Sequence, residues 1–312
     1  MVRGVGRSTV MKIAVSGATG LIGSAVVASL AGRGRQVARL VRPHRATRAG
    51  DIRWDPATGA LDSAAGGCDA VIHLAGENIA GRWTAKKRAR IRDSRTTPTA
   101  RLCKTLATLD PPPAVLLCAS ASGVYGDRGE QTLAEDSAPG DGFLAEVCQQ
   151  WEAACQPAVA AGIRVVHLRF AMVLSPTGGA LKPMLRPFRL GLGGRIGNGR
   201  QYWSWIALDD AVAAIEFALA CDDMAGPVNV ASPCPVTNRQ FTAALGRALH
   251  RPTLFPLPAS IARLAFGRMA DDLLLASARV TPARLLASGF VFQRPQLDDA
   301  LNHLLKRSGQ PS

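Results

Sequence analysis

The sequence predicts an α/β protein: a doubly wound parallel Rossmann sheet with a second, smaller C-terminal lobe. Three observations carry this. Short β-branched runs alternate with helical patterns, as a parallel sheet covered by helices on both faces requires. A glycine triplet separates the first such run from the first helical stretch. Later Gly- and Pro-rich segments, 175–199 and 252–258, then break the alternation.

The strands are expected at 12–16, 36–41, 52–54, 70–75, 114–119, 163–169 and 228–231. Helices are expected at 21–32, 86–107, 144–161, 209–220 and 238–249, and the run Pro111-Pro112-Pro113 is a loop entering the fifth strand. This divides the chain into an N-terminal extension (1–10), a dinucleotide-binding domain (11–175 and 205–232) and a smaller substrate-side lobe (176–204 and 233–312). Met11 directly precedes the first strand and is an alternative start.

The bulk numbers exclude several classes. An apolar fraction of 47% with 19% charged residues describes a folded enzyme-like protein rather than a disordered one. No apolar run approaches the roughly 20 residues of a spanning helix, and residues 1–10 lack the apolar core of a secretory signal. The expectation is a cytoplasmic protein without a membrane partner. Seven cysteines, an odd number with no C-x-x-C, fit reduced thiols better than a disulfide framework. Five histidines without ligand spacing give no metal site.

The formal charge is +14. No acid lies between Glu152 and Asp209, where Arg164, Arg169, Lys182, Arg186, Arg189, Arg195 and Arg200 fall, and a second basic run spans 82–101. No nucleic-acid-binding motif accompanies it, so the charge reads as a cleft for an anionic cofactor plus an arginine-rich surface, with no specific nucleic acid as partner.

The chemistry begins at Ser16-Gly17-Ala18-Thr19-Gly20-Leu21-Ile22-Gly23. Glycine there permits a tight turn, close approach of backbone to a pyrophosphate and close helix–strand packing, while the helix N-terminus offers N–H groups to phosphate. The second strand ends at Arg42-Pro43-His44-Arg45, where NAD binders carry an acid for the ribose hydroxyls. An arginine suits a 2′-phosphate instead, so the cofactor is expected to be NADP(H).

These motifs resemble the extended short-chain dehydrogenase/reductase superfamily. The spacing Gly17-x-x-Gly20-x-x-Gly23 is that superfamily's, Asp69–Gly76 looks like its fourth strand, and Ala119-Ser120-Ala121-Ser122-Gly123-Val124-Tyr125-Gly126 resembles the strand carrying its catalytic hydroxyl. The stretch Gly197–Asp210 resembles the motif bordering its substrate pocket. More narrowly, Leu74–Ile79 with Arg82-Trp83 and Ser94-Arg95, the segment Ile91–Thr99, the run Pro187–Gly194, and a C-terminal part with Pro256–Pro258 and Gly289-Phe290 resemble an atypical branch known as epimerase family, or sugar-nucleotide epimerase-like, proteins. The resemblance implies a cofactor held by Gly17, Thr19, Gly20, Leu21, Ile22, Gly23, Arg42, Leu74, Ala75, Gly76, Arg95, Met172 and Val173.

The superfamily's acid–base pair, Tyr-x-x-x-Lys, is absent. The two tyrosines, Tyr125 and Tyr202, are followed four residues on by Gly129 and Ile206, and no lysine lies between Lys104 and Lys182. The helix that should carry the pair reads Phe143-Leu144-Ala145-Glu146-Val147-Cys148. Ser120 and Tyr125 remain as catalytic candidates, with Glu146 and Cys148 near the vacated position and Glu77-Asn78 after the fourth strand. His73, inside an apolar strand, reads as a packed residue. The arginine that clamps a sugar-nucleotide diphosphate is also missing, and Trp203 stands there. Three readings stay open: an NADP(H)-dependent oxidoreductase or epimerase with an unidentified small substrate, an NADP(H)-binding protein that responds to redox state without turnover, and a nucleotide-sugar epimerase. The oligomeric state is not legible.

Overall fold

Strand residues such as Ile13, Val15, Ile72, Leu116, Leu117 and Val166 are fully buried, in unbroken apolar runs that only a sheet covered on both faces can hide. The computed structural model describes residues 11–45 and 47–307, so the N-terminal extension lies outside the described residues. Its sheet comprises β1 (Lys12–Ser16), β2 (Gln36–Val41), β3 (Ile52–Arg53), β4 (Ala70–His73), β5 (Val115–Ala121), β6 (Arg164–Phe170) and β7 (Gly226–Val230). Their spatial order is β7-β6-β5-β4-β1-β2-β3, and every neighbouring pair is parallel. Strand order reverses between β1 and β4. In open sheets of this kind a ligand binds outside the carboxyl ends of the strands at that reversal.

Helices α1 (Leu21–Gly32) and α6 (Leu208–Ala220) pack together on one side of the sheet. On the other, α2 (Ala85–Ala107) meets α3 (Phe143–Ala153) and α4 (Gln156–Ala160). The single helix expected over 144–161 is therefore two: α3 stops at Ala153, and Pro157 enters the first turn of α4, where its missing N–H costs nothing. Strand β5 runs two residues further than expected, to Ala121, whereas β4 stops at His73 and leaves Leu74 and Ala75 in loop conformation.

The smaller lobe has its own apolar core, formed by Leu181, Leu185 and Phe188 of α5 (Leu181–Arg189), Phe241 and Leu245 of α7 (Asn238–Leu249), and Leu301 and Leu304 of α10 (Leu297–Arg307). Between α7 and α10 lie α8 (Ala259–Phe266), a π-helical turn at Ala270–Leu275 and α9 (Ala283–Ala287). Helix α7 begins with a capping box: the Thr237 hydroxyl accepts from Gln240 N–H, and the Gln240 side chain accepts from Thr237 N–H. The lobe is clasped to the main domain by Asp210, whose buried carboxylate accepts from the N–H groups of Gln293 (2.8 Å) and Arg294 (2.9 Å). Among the described residues no helix is long and apolar enough to cross a membrane.

Candidate functional site

At the end of β1 the chain turns through Gly17, whose φ of +68° is a conformation that favours glycine. A Cβ there would lie 2.7 Å from the Leu74 carbonyl carbon, and one at Gly23 would lie 2.2 Å from the Gly17 carbonyl oxygen. No side chain fits at either place. The absence of side chains brings the loop after β4 against the β1–α1 turn and seats α1 on the strand.

The Gly20 N–H closes the turn onto the Gly17 carbonyl at 2.9 Å, and the first bond of α1 runs from Ser24 N–H to the Gly20 carbonyl. Gly20 caps the helix without a side chain, and the first turn of α1 holds no acid. The N–H groups of Leu21, Ile22 and Gly23 are therefore left at a positive dipole end, beside the exposed Thr19. On the other side of Leu21 lies the hairpin Met172–Ser175/Gly178–Gly179: a Cβ on Gly178 or Gly179 would come within 3.1 Å of the Leu21 methyl groups. The structure thus gathers residues 17–23, 74–76 and 172–179 around one groove.

Arg42, one residue beyond β2, is exposed and makes no side-chain hydrogen bond or ion pair among the described residues. Its loop is tethered from below. Arg39 forms a bidentate pair with Asp51 (2.7 Å through Nε), and Asp51 also accepts from Arg48 N–H at 2.7 Å. Arg95 is placed differently from Arg42. Its guanidinium donates to the carbonyls of Ile91 and Glu77, each at 3.0 Å, and lies over the Trp151 ring at 5.1 Å. It sits beside Gly76, where a Cβ would be 3.3 Å from its Cζ. It thereby holds the backbone at Glu77, just past the loop that follows β4.

The end of β5 is closed on itself. The buried Ser120 hydroxyl donates to Glu152 Oε1 at 2.7 Å, and Glu152 is locked to Arg169 through two 2.9 Å bonds. Arg169 also donates to the Tyr125 hydroxyl at 3.0 Å, and Tyr125 donates to Asn229 Oδ1 at 2.7 Å. Tyr125 has no exposed surface. Burial opposes the Glu152 charge, but the Arg169 and Ser120 bonds outweigh it and hold the carboxyl below its usual range. Burial pushes the Tyr125 phenol up, further from use as a base. Both hydroxyls proposed from sequence are spent inside the protein. The one that sequence reading passed over is Ser122: it is half-buried, lies in the turn after β5, and makes no side-chain hydrogen bond among the described residues.

The vacated acid–base position is apolar. Phe143, first residue of α3, meets Trp83 edge-on at 5.4 Å, within a cluster that includes Ile91, Leu144 and Met269. Val147 and Cys148 are buried, and burial drives the Cys148 thiol up to about 12. Glu146 faces solvent. Glu77 is bound by Lys87 at 2.9 Å and by Arg90, while Asn78 Oδ1 accepts from Ala80 N–H. Trp203 and Trp205 belong to the core of the smaller lobe, their indole N–H groups donating to the carbonyls of Leu274 and Cys234. His73 is packed: its two ring nitrogens lie 2.6 Å from Ser16 Oγ and 3.0 Å from Thr99 Oγ1.

A glycine cradle at the switch point of a parallel sheet and an arginine after β2 are features of a dinucleotide-binding α/β fold. The chain belongs to the NAD dependent epimerase/dehydratase family, which it matches over residues 13–231. Residues 257–304 match a C-terminal domain of unknown function, DUF1731. An epimerase family protein of Mycobacterium bovis is 44% identical over 299 residues, covering 95% of this chain and 98% of the relative. The crystal structure of human epimerase family protein SDR39U1 with NADPH is 34% identical with a TM-score of 0.87, covering 95% of this chain and 99% of that one. A nucleoside-diphosphate sugar epimerase from Corynebacterium glutamicum has a TM-score of 0.78 at 34% identity, covering 95% of this chain and 58% of that one.

Proposed function

We propose that this protein binds NADP(H) in the β1–α1 groove and does not carry out the family's tyrosine-dependent chemistry at ordinary rates. The observation that carries the cofactor choice is Arg42, an exposed cation just past β2 with no side-chain partner among the described residues and no acid next to it in sequence to repel phosphate. The similarity to a structure that holds NADPH supports the same reading. In this reading the N–H groups of Leu21, Ile22 and Gly23 hold the pyrophosphate, Arg42 the 2′-phosphate, and the backbone at 74–76 and 172–173 borders the rest. The buried free thiols suit a reducing, cytoplasmic setting.

Bound there, a nicotinamide dinucleotide supplies hydride-transfer chemistry. The chain's own residues exclude water at Phe143 and Trp83 but offer no tyrosine–lysine pair to move the accompanying proton. General acid–base catalysis is worth roughly 10²–10⁴-fold, so its loss leaves a binding site with little turnover of alcohols or sugar nucleotides. NADPH should bind at least about tenfold more tightly than NADH by calorimetry, a difference of ~1.4 kcal/mol, and Arg42→Ala should erase most of it. Equal affinities in the unaltered protein would end the NADP(H) assignment. Incubated with UDP- and GDP-sugars and cofactor, the protein should give epimer at well under ~1 s⁻¹ by chromatography. Faster turnover would show that another group, Ser122 first, has taken over the chemistry. A redox-responsive binding role is favoured over an oxidoreductase by the closed Ser120–Glu152–Arg169 pairing.

A further inference from the structure

The smaller lobe carries a surface that neither the cofactor groove nor the core uses. Within this lobe, residues 176–204 and 233–270 contain no aspartate or glutamate. Helix α5 presents Lys182, Arg186 and Arg189 at i, i+4 and i+7, all exposed and none with a side-chain partner among the described residues. The loop that follows exposes Leu190 by 66% and Leu192 by 57%. A second loop lies alongside, with Phe255 N–H donating to the Gly193 carbonyl and Arg251 Nε to the Arg189 carbonyl at 2.9 Å. It exposes Leu254 by 76% and Phe255 by 59%. Four large apolar side chains thus project from two adjoining loops, beside unpaired cations.

We infer that this face docks on an anionic lipid surface. A peripheral contact of this kind combines apolar side chains that enter the headgroup boundary with cations that meet anionic headgroups. It involves no spanning segment, so hydropathy does not reveal it. A second copy of the chain would bring like charges face to face, and duplex nucleic acid would set Leu190 and Leu254 against polar groove edges without reward.

The test is co-sedimentation of the full chain with vesicles of phosphatidylglycerol and phosphatidylcholine in equal parts, compared with phosphatidylcholine alone. Binding is expected to the anionic vesicles only, and to weaken with added salt. Arg186→Gln with Arg189→Gln should lower it about 25-fold, at about fivefold per lost cation. Leu254→Ser with Phe255→Ser should lower it at least tenfold. Because all four positions are exposed and none is among the residues at 17–23, 42, 74–76 and 172–179, both double variants should keep the parent's melting temperature and NADPH titration. Three outcomes would overturn the inference: no binding, equal binding to both vesicle types, or duplex DNA binding that survives salt and ignores the Leu254/Phe255 change. Concentration-dependent self-association lost with Leu254 and Phe255, without vesicle binding, would assign the face to a second copy instead.

Discussion

The carboxyl ends of β1 and β5 lie in the same sheet, on opposite sides of β4, and have opposite characters. The end of β1 is made of backbone: side chains are excluded at Gly17 and Gly23, and N–H groups are left without partners. The end of β5 is made of side chains already satisfied by one another, Ser120 by Glu152 and Glu152 by Arg169. The difference separates binding from proton transfer. A turn built from glycine and a helix terminus makes no use of the acid–base residues, so its geometry does not require the tyrosine and lysine.

The largest effect should come from breaking the closed end. Glu152→Ala leaves the Arg169 guanidinium buried without its carboxylate, which typically costs about 3–5 kcal/mol. Denaturant unfolding should show that loss, while the fraction still folded keeps its NADPH affinity within about threefold. A comparable loss of affinity would mean that the two ends are coupled.

Next in size is acid sensitivity. Burial lowers the His73 imidazole to about 4, so the neutral ring is favoured in the fold. Its contribution, about 3 kcal/mol, is fully present above pH 6.5 and is lost as pH falls through about 4. His167, also lowered by burial, with Nδ1 buried and unpaired, acts in the same direction. Stability measured by chemical unfolding should therefore fall between pH 6.5 and 4, and a flat profile there would exclude a buried neutral His73. Slightly smaller is the effect of opening the other end. Gly17→Ala places a Cβ 2.7 Å from the Leu74 carbonyl carbon in a left-handed backbone, and NADPH affinity should drop at least about 100-fold, or ~2.7 kcal/mol. Affinity within threefold of the parent would refute the cradle.

What sequence made legible follows the same division. The β1–α1 unit is local: a strand, three glycines and a helix within about twenty residues, so its elements could be read directly. The fate of Ser120 was not legible, because its partners Glu152 and Arg169 are 32 and 49 residues away, on other elements. Helix α5 escaped notice because Pro183 and Pro187 fall within it, yet it is held by the burial of Leu181, Leu185 and Phe188. Helix α10 did carry a signal: Leu297, Ala300, Leu301 and Leu304 form an i, i+3, i+4, i+7 stripe, all of it buried. The exposed Leu254 and Phe255 could not be distinguished from core residues without coordinates.

The Asp210 clasp bears on how this protein and its relatives can diverge. Region 257–304 matches a family unit of its own, yet its loop before α10 finishes the solvation of an acid that belongs to the dinucleotide-binding half. Burial raises the Asp210 carboxyl above its usual range even with both N–H groups in place. A chain ending before residue 293 would leave that carboxyl without its two donors, so the C-terminal unit is not a detachable bead. In this chain the acid at the start of α6 and the backbone at 293–294 are therefore one unit, and replacing either leaves the other incomplete.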